Sequence, residues 1–287
     1  MKTIHRSFGY VKPHAMGSQA AVTAVGDIFE TAGVRVSGLK RLSGADVARG
    51  GFFDRQHGAA ARYATAPDAA ALPLGSDGAR AAFEAAFGEP LDKVLAAGAL
   101  LPAERAREKL GLSPDGLLRE WAEHGASRIA PGLYVARLEH EGLYVANGFH
   151  PAARAPFADP DGPGVMAFEL SFEMPWRDFL EVVVGDESPA AALEESVRGF
   201  LYDRRDALGL RIDRYDNVIH ASSSPLEALL DRMAWRTPAA WRRDPFFKRL
   251  GADPAALEAL RDDEELLASL RGLGEDEAAA AVAARLR

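Results

Sequence analysis

Apolar and polar residues follow two different periods near the start of the chain. From Arg6 to Lys12 they alternate, and Pro13 stops the run, so this segment is predicted to be a β-strand. From Ser18 to Thr31 the apolar residues recur at intervals of three and four, which predicts an amphipathic helix with Gly33 at its C-terminal cap. The alternating run from Val34 to Leu42 predicts a second strand. A strand, a helix and another strand therefore open the fold.

A second group of regular elements is predicted in the second half of the chain. Val165 to Phe172 is predicted to be a strand, Trp176 to Val184 a short helix and Leu210 to Tyr215 a further strand. Leu226 to Trp235 is predicted to be a helix, with Pro225 near its first turn. With the opening elements, these segments predict an α+β fold in which helices cover one face of a sheet.

Residues 64 to 163 do not fit a minimal fold of this kind. They begin with the Ala- and Pro-rich segment ATAPDAAALPLGSDG, and we predict an insertion that forms a subdomain or a lid. It is expected to be mostly helical, with helices at Ala79 to Phe87, Ala103 to Lys109 and Leu117 to His124, and with a strand pair in LYVARLEHEGLYVAN.

The predicted domains are a core of residues 1–63 and 164–240, the insertion of residues 64–163, and a helical C-terminal extension of residues 241–287. The extension is charged, rich in Ala and Leu, and has helical spacing. A solvated helical cap and a partner-binding helix both agree with that pattern, and the cap is the simpler interpretation.

Composition narrows the chemistry that the chain can use. It has 287 residues, of which 48% are hydrophobic, so a large folded core is expected. The lack of cysteine excludes disulfides, thiolate nucleophiles and cysteine-ligated zinc. The net charge of −8 argues against nucleic acid and anionic membranes as partners, but it permits a local basic cleft for a small polyanion. Without a long apolar run or an apolar signal region, a soluble cytoplasmic protein is expected.

One stretch, DNVIHASSS, has the setting of a positioned nucleophile. Its His220 follows an alternating segment and precedes a helix, with Asn217 three residues before it and Ser222 two residues after it. Taken alone, a histidine in this setting is more often structural than catalytic. Asn217 is equally suited to a turn and Ser222 to capping the helix, so the stretch by itself leaves both interpretations open.

Three segments, in order along the chain, resemble the nucleoside diphosphate kinase family. SFGYVKPH resembles the family's first strand with its Lys-Pro signature and places Lys12 on the signature lysine. GDESPAAALEESVRG resembles the loop that ends in an Arg-Gly pair and places Arg198 on its arginine. NVIHASSS resembles the active-site signature, with Asn217, His220 and Ser222 on its asparagine, phosphoacceptor histidine and serine. The segment LYVANGFHPAARAPF resembles one from a longer, divergent branch of the family.

The resemblance implies a ferredoxin-like antiparallel core and a ping-pong phosphoryl transfer. A nucleoside triphosphate would phosphorylate His220, and a nucleoside diphosphate would then accept the phosphate. Mg²⁺ would be carried by the nucleotide phosphates, with no metal site of the protein's own. Asp231 falls where the family has a glutamate that orients the histidine, and Lys12 and Arg198 suit the stabilisation of phosphate charge. Family members form homo-oligomers, a state that this chain would share unless the insertion and tail block the contacts.

The match has a gap at the phosphate site. Glu181 stands where the family has a second phosphate-binding arginine, so the charge is reversed. A replacement is predicted from two candidates: Arg177, which is near in sequence, and Arg154, which an insertion acting as a lid would bring over the phosphates.

The loop and the base site also depart from the family pattern. Glu187 stands in place of a threonine, and Ser188 beside it is the predicted substitute for the lost hydroxyl. Phe52 or Phe53 is expected to supply the surface on which a base stacks, and Phe53 is assigned to the nucleotide site. Since any base can stack on an aromatic ring, this pattern predicts no base specificity.

Three functions agree with the sequence. The first is an active nucleoside diphosphate kinase-like phosphotransferase, which the set of Lys12, Arg198, Asn217 and His220 favours. The second is a phosphotransferase with a specialised acceptor that is not a nucleotide, which the altered base region favours. The third is a nucleotide-binding regulatory protein without efficient transfer, which the two glutamates in unexpected places favour.

Overall fold

The computed structural model of the chain describes residues 3–139 and 142–287. These residues form two compact units: a main unit of Met1–Phe52 with Pro156–Arg287, and an inserted unit of Phe53–Ala155. The inserted unit thus begins and ends earlier than the predicted insertion of residues 64–163. The turn of the predicted strand pair, at residues 140 and 141, lies outside the described residues, as do residues 1 and 2.

The strands that the structure describes are β1 His5–Val11, β2 Arg35–Leu42, β3 Leu100–Pro102, β4 Ser127–Ala130, β5 Leu133–Leu138, β6 Leu143–Ala146, β7 Val165–Phe172 and β8 Ile219–Ala221. The first ten helices are α1 Gln19–Thr31, α2 Gly44–Gly50, α3 Phe52–Ala64, α4 Asp77–Phe87, α5 Leu91–Ala96, α6 Ala103–Leu110, α7 Pro114–Glu123, α8 His150–Ala158, α9 Trp176–Asp178 and α10 Val197–Asp203. The remaining helices are α11 Arg205–Leu208, α12 Pro225–Trp235, α13 Pro238–Trp241, α14 Pro245–Leu250, α15 Pro254–Ala259, α16 Glu264–Leu270 and α17 Glu275–Arg285. The chain therefore folds as a mixed α+β protein.

The main unit is built on a four-stranded sheet in the order β2-β7-β1-β8, in which every neighbouring pair is antiparallel. The strands predicted in the opening segment and after the insertion correspond to β1, β2 and β7, and the predicted helices to α1 and α12. The pairing of β1 with β8 sets Tyr10 opposite His220. A Cβ atom on Gly9 would lie 2.7 Å from the carbonyl oxygen of His220, so a larger residue would force these strands apart.

One face of this sheet carries the main hydrophobic core. It packs against α1, α10, and α9 with the π-helical turn Phe179–Val184 that continues it. Ser18 begins α1 by accepting a hydrogen bond from the amide of Ala21, and this fixes the helix that covers the core. Phe172 and Phe179 stack within the core at 4.1 Å between ring centroids. Burial of each such phenylalanine contributes roughly 1.5–3 kcal/mol.

The opposite face of the sheet is covered by α12, so the prediction of helices on one face is wrong. Successive residues of a strand point to opposite faces, and Phe8 and Tyr10 therefore face away from the core that contains Val11. The rings of Phe8 and Tyr10 lie 6.2 and 4.6 Å from that of Trp235 on α12. All but the first two residues of β1 are buried, which is the pattern of a strand covered on both faces.

The C-terminal extension packs on the main unit through a shared core and leaves most of its other residues exposed. Its helices α13 to α17 share a hydrophobic core with α12, formed by Leu226, Leu229, Leu230, Met233, Trp241, Phe246, Leu257, Leu260, Leu266, Leu270, Ala278, Ala279 and Val282. Proline at the first turn of α13, α14 and α15 breaks the segment into short helices. The extension thus lengthens the layer that α12 begins.

The strand predicted from Leu210 to Tyr215 does not form. Oδ1 of Asp213 accepts hydrogen bonds from the amides of Tyr215 and Asp216, at 2.8 and 2.9 Å. These bonds close a turn and use amides that would donate to a neighbouring strand in a sheet. The alternating pattern therefore does not produce a strand here.

The inserted unit has its own sheet, in the order β3-β6-β5-β4. The β3–β6 pair is parallel and the other two pairs are antiparallel. The predicted helices of this segment correspond to α4, α6 and α7, and the predicted strand pair to β5 and β6. Buried Asn147 ties the unit together, because its side-chain amide donates to the carbonyls of Ala60 and Gly132, both at 2.9 Å.

Within the described residues, no helix combines the length and the apolar character that a membrane span requires.

Candidate active site

A tight turn at Val218 brings the candidate nucleophile to the edge of the main sheet. The amide of Ile219 donates to the carbonyl of Asn217 at 2.9 Å, and Val218 between them has a φ of 71°. A β-branched residue at positive φ is strained and persists only where its surroundings hold it. Here Val218 is buried, and its carbonyl accepts the amide of Lys12 at 2.8 Å. The turn therefore fastens the end of β1 to the start of β8, which carries His220.

His220 is the middle residue of β8, and its ring is fixed by two neighbours. It stacks on Tyr10 with ring centroids 5.0 Å apart, and its Nε2 lies 2.8 Å from Oδ2 of Asp231. The side chain of His220 is 20% exposed and that of Asp231 only 3%, so the carboxylate lies behind the ring. A proton on Nε2 leaves the lone pair on Nδ1, the form in which imidazole acts as a nucleophile.

The two carboxylates beside His220 have opposite pKa shifts. Burial alone would raise the pKa of Asp231, but the charge of a protonated His220 and hydrogen bonds from His220 and Ser222 lower it below its ordinary value. Burial and the negative charge of Asp231 raise the pKa of Glu227, which accepts the amide of Ser223 at 2.6 Å. Asp231 is therefore the carboxylate that favours its ionised form, and it is suited to hold the ring of His220.

Lys12 follows β1, and its ammonium group reaches the same cavity as His220. Its Nζ donates to the carbonyl of Tyr215 at 2.8 Å. Burial and the charge of Arg198 lower the pKa of Lys12 to about 8, against the opposing charges of nearby carboxylates such as Asp216. An anion bound beside this lysine would raise its pKa and stabilise its charged form. The charged lysine would in turn favour binding of the anion.

Arg198 lies on α10 and is 7% exposed. Its two terminal nitrogens donate to backbone carbonyls, of Gly185 at 3.0 Å and of Ile219 at 3.3 Å. Burial lowers its pKa to about 10, although the charge of Glu187 opposes the shift. Its Nε, like Oδ1 of Asn217, is buried without a hydrogen-bond partner among the described residues. A buried cation that is held by carbonyls in this way suits an anion as its partner.

These side chains surround a cavity of about 220 Å³. Its charged and polar lining consists of Lys12, Arg198, Arg214 and Arg271, the carboxylates Glu187 and Glu227, and the side chains of Tyr215, Asn217, His220 and Ser223. Pockets that enclose a whole small-molecule ligand are typically roughly 300–1,000 Å³. The cavity is thus smaller than pockets of that kind, and its lining is mainly charged and polar.

Two of the cavity cations were not predicted from the sequence. Arg214 comes from the loop before β8, only three residues before Asn217, and its nearness to the histidine segment was a usable signal. Arg271 follows α16 in the C-terminal extension, and its Nη1 lies 3.3 Å from Oε1 of Glu187. No local pattern around Arg271 marks it as a site residue.

The structure brings together four of the predicted site residues: Lys12, Arg198, Asn217 and His220 all line the cavity. The side-chain amide of Asn217 donates to the carbonyl of Glu187 at 3.2 Å and so holds the loop that forms one wall.

Three predicted residues near the site do not line the cavity. Asp231 and Ser222 lie behind His220, where the hydroxyl of fully buried Ser222 donates to Asp231 at 2.6 Å. Ser188 begins the turn Pro189–Ala191, and its amide donates to Oδ1 of Asp186 at 2.8 Å. Direct contact of Ser222 and Ser188 with a nucleotide stays a prediction.

Phe53 and Arg154 belong to the inserted unit. Phe53 is 6% exposed, and its ring stacks on His57 with centroids 3.9 Å apart. Nε of Arg154 donates to both carboxylate oxygens of Asp54, at 2.8 and 2.9 Å. The base-stacking role of Phe53 and the phosphate role of Arg154 also stay predictions. Arg177, the other candidate cation, lines a neighbouring pocket and not the cavity beside His220.

The donor atoms of His220, Glu227 and Asp231 lie within 4.8 Å of one another. They are engaged in hydrogen bonds, since His220 and Asp231 bond to each other and Glu227 holds Ser223. Mg²⁺ prefers octahedral oxygen ligands, and it retains waters and substrate phosphates. That Mg²⁺ arrives on nucleotide phosphates stays a prediction.

Comparison with protein-family models and with curated proteins finds no match. Among solved structures, an NDP kinase from Pyrobaculum aerophilum matches with a TM-score of 0.40 and 16% sequence identity. The match covers 83% of this chain and 98% of that chain. A likeness at this level assigns neither family nor activity, so the function must be argued from the site itself.

Proposed function

We propose that the chain is a nucleoside diphosphate kinase-like phosphotransferase with His220 as its phosphoacceptor. The observation that carries the proposal is the position of the imidazole: Asp231 holds Nε2 at 2.8 Å, and the ring borders a cavity lined by Lys12 and Arg198. A nucleophile oriented by a carboxylate beside fixed cations is the arrangement that phosphoryl transfer through a phosphohistidine requires. The antiparallel strand order β2-β7-β1-β8 supports a ferredoxin-like core for this site.

The transfer would proceed in two halves. In the first, the lone pair of His220 Nδ1 attacks the terminal phosphorus of a nucleoside triphosphate. The N–P bond forms while the P–O bond to the nucleoside diphosphate breaks, and the diphosphate leaves with the bonding electrons. In the second half, a terminal phosphate oxygen of an acceptor diphosphate attacks the phosphorus, and the N–P electron pair returns to Nδ1.

The protein groups would act mainly through position and charge. Lys12 and Arg198 would stabilise the negative charge that spreads over the equatorial oxygens in the transition state. Asp231 would keep the proton on Nε2 and stabilise the ring when it is phosphorylated. Mg²⁺ would enter as part of the nucleotide substrate and neutralise the charge of its phosphates.

The proposal is tested by incubating the purified chain with Mg²⁺ and γ-labelled ATP, then adding each nucleoside diphosphate. We expect acid-labile label on the wild-type protein and on the control His124→Ala, none on His220→Ala, and discharge of the label by diphosphates. Absence of label from a wild-type protein that still binds ATP would overturn the proposal and favour a nucleotide-binding regulatory role. Label that no diphosphate removes would redirect the search to another acceptor.

A further inference from the structure

Arg271 is delivered to the cavity by the C-terminal extension, 51 residues after His220. Its backbone is anchored on both sides. Leu270 before it is fully buried in the core of the extension, and the amide of Gly272 after it donates to the carbonyl of Ser223 at 3.0 Å. Ser223 follows His220 by three residues, so the extension is fastened to the histidine segment itself. The position of Arg271 is therefore built into the fold.

Three of the four cations that line the cavity interact with Glu187, and their donor groups are engaged to different degrees. The ammonium group of Lys12 donates to a backbone carbonyl, and two nitrogens of Arg198 also donate to backbone carbonyls. Arg271 has only an ion pair with Glu187 among the described residues, with side chains that are 47% and 56% exposed. An ion pair so exposed contributes little stability, roughly 0–1 kcal/mol as a rule, and Arg271 can leave it at small cost.

The charges around Arg271 also favour an anionic partner. The positive charge of Arg271 is close enough to Arg198 to add to the lowering of the Arg198 pKa, which burial dominates and Glu187 opposes. Two arginines that repel each other across a cavity are both stabilised by an anion between them. A guanidinium can bind two phosphate oxygens at once, which an ammonium cannot.

We propose that Arg271 is a phosphate-binding residue of this site, and that its guanidinium exchanges Glu187 for the oxygens of the terminal phosphates of the substrate. This inference rests on the proposed function for the identity of the anion as the phosphate chain of a nucleotide. It assigns to the C-terminal extension the role of completing the cationic lining of the cavity. Arg271 would then replace the cation that is missing at Glu181, and it comes from a part of the chain outside the segments that resemble the kinase family.

The test measures binding and transfer separately. Affinities for tripolyphosphate and for ATP, both with Mg²⁺, are measured by calorimetry for the wild type, Arg271→Ala and Arg271→Lys. Arg285→Ala is the matched control, since Arg285 lies in the same extension and pairs with Asp263 outside the cavity lining. We expect Arg271→Ala to weaken both ligands by about tenfold to a hundredfold, Arg271→Lys to weaken them less, and the control to change neither. Urea unfolding of each variant checks that the fold is kept.

A second variant keeps the inference falsifiable if Arg271→Ala unfolds. Glu187→Gln releases Arg271 and removes a negative charge from the cavity wall. We expect it to tighten tripolyphosphate binding severalfold in the wild-type background, by more than in the Arg271→Lys background, where the partner is a point charge. Equal tightening in both backgrounds would count against a special role of Arg271.

The outcomes for the two proposals differ. Unchanged affinities in a folded Arg271→Ala protein that still forms phosphohistidine would overturn the role of Arg271 and leave the phosphotransferase intact. Loss of tripolyphosphate binding in Arg271→Ala, with no label on the wild type, would establish the anion site and overturn the phosphotransferase. A wild-type protein that neither binds tripolyphosphate nor becomes labelled would overturn both.

Discussion

Nε2 of His220 lies 2.8 Å from Oδ2 of Asp231, eleven residues further along the chain. The two residues sit on consecutive elements, β8 and α12, so the strand-to-helix connection fixes their distance. The hydroxyl of Ser222 donates to the same carboxylate oxygen and holds it in place. The carboxylate is thus directed at Nε2, and chemistry is left to the other ring nitrogen.

The first prediction concerns this pair. Asp231→Asn should lower the rate of phosphohistidine formation by about a hundredfold or more, because an amide can donate to Nε2 and favour the tautomer with the proton on Nδ1. Ser222→Ala should lower it by only about tenfold, since one hydrogen bond to the carboxylate is lost. Single-turnover labelling with γ-labelled ATP measures both rates. If Asp231→Asn reacts as fast as the wild type, the orienting role of the carboxylate is wrong.

A second prediction follows from the pKa of Lys12, which burial and Arg198 lower to about 8. The lysine is charged below that pH and loses its charge as the pH rises through it. The contribution of Lys12 to tripolyphosphate binding should therefore be nearly constant from pH 6 to 7 and should weaken above pH 8, by about tenfold per pH unit at most. Calorimetry across this range measures the affinity.

Lys12→Arg provides the control for this pH dependence. An arginine stays charged through this range, so the loss of affinity above pH 8 should be absent in the variant, even if its absolute affinity is lower. A loss of the same size in Lys12→Arg would show that another group titrates.

Local patterns explain why much of the fold could be predicted. The periods of the opening segment are those of β1 and α1, because β1 is buried on both faces and α1 buries one face. The strand β2 also forms where alternation predicts it, but it is held by its pairing with β7, since most of its residues are exposed. The strand predicted from Leu210 to Tyr215 is the exception, because the side chain of Asp213 accepts hydrogen bonds from the amides of Tyr215 and Asp216. Alternation alone cannot report such a competing bond.

The site was only partly predictable for a related reason. Lys12 and His220 lie in recognisable segments that the pairing of β1 with β8 brings together. Val218 gave no signal, because a β-branched residue is the opposite of what a positive φ favours. Arg271 gave none either, since it depends on how the extension packs on α12, and contacts over such separations leave no periodic pattern.

A third prediction concerns the attachment of the extension to the sheet. Arg232 on α12 donates to Glu169 at 2.7 Å, to Asp244 at 2.9 Å and to the carbonyl of Ser7 at 3.1 Å, and its side chain is 9% exposed. Arg232→Leu would leave the buried carboxylate of Asp244 without its ion-pair partner, with only the amides of Phe246 and Phe247 as donors to it. We expect it to lower the free energy of unfolding by about 3–5 kcal/mol.

Urea unfolding followed by circular dichroism measures this change. Arg243→Ala, at an exposed position beside Asp244, should alter the free energy of unfolding by no more than about 0.5 kcal/mol. The double variant Arg232→Leu with Asp244→Asn should recover part of the loss, because an amide is less costly to bury than a charge. A single variant as stable as the control would contradict the importance of this network.

The last prediction concerns His150 in the inserted unit, which is fully buried. Burial and the charge of His57, with a smaller effect of Arg154, lower its pKa to about 4, while Asp54 opposes the shift. The folded chain therefore keeps His150 neutral where the unfolded chain takes up a proton, with a reference pKa of about 6.5. Because the unfolded state binds more protons between these values, stability contributed by the neutral ring falls as the pH drops from 6.5 towards 4.

At pH 5 this linkage should reduce the free energy of unfolding by about 2 kcal/mol relative to pH 7.5, in addition to any effect of the carboxylates. His150→Leu removes the titrating group and should lose that part of the pH dependence, whatever it does to stability at neutral pH. His124→Gln, in the same unit at the end of α7, should keep it. Urea unfolding of the three proteins at both pH values isolates the contribution of His150. The same pH dependence in His150→Leu as in the wild type would mean that His150 is not the buried group that titrates.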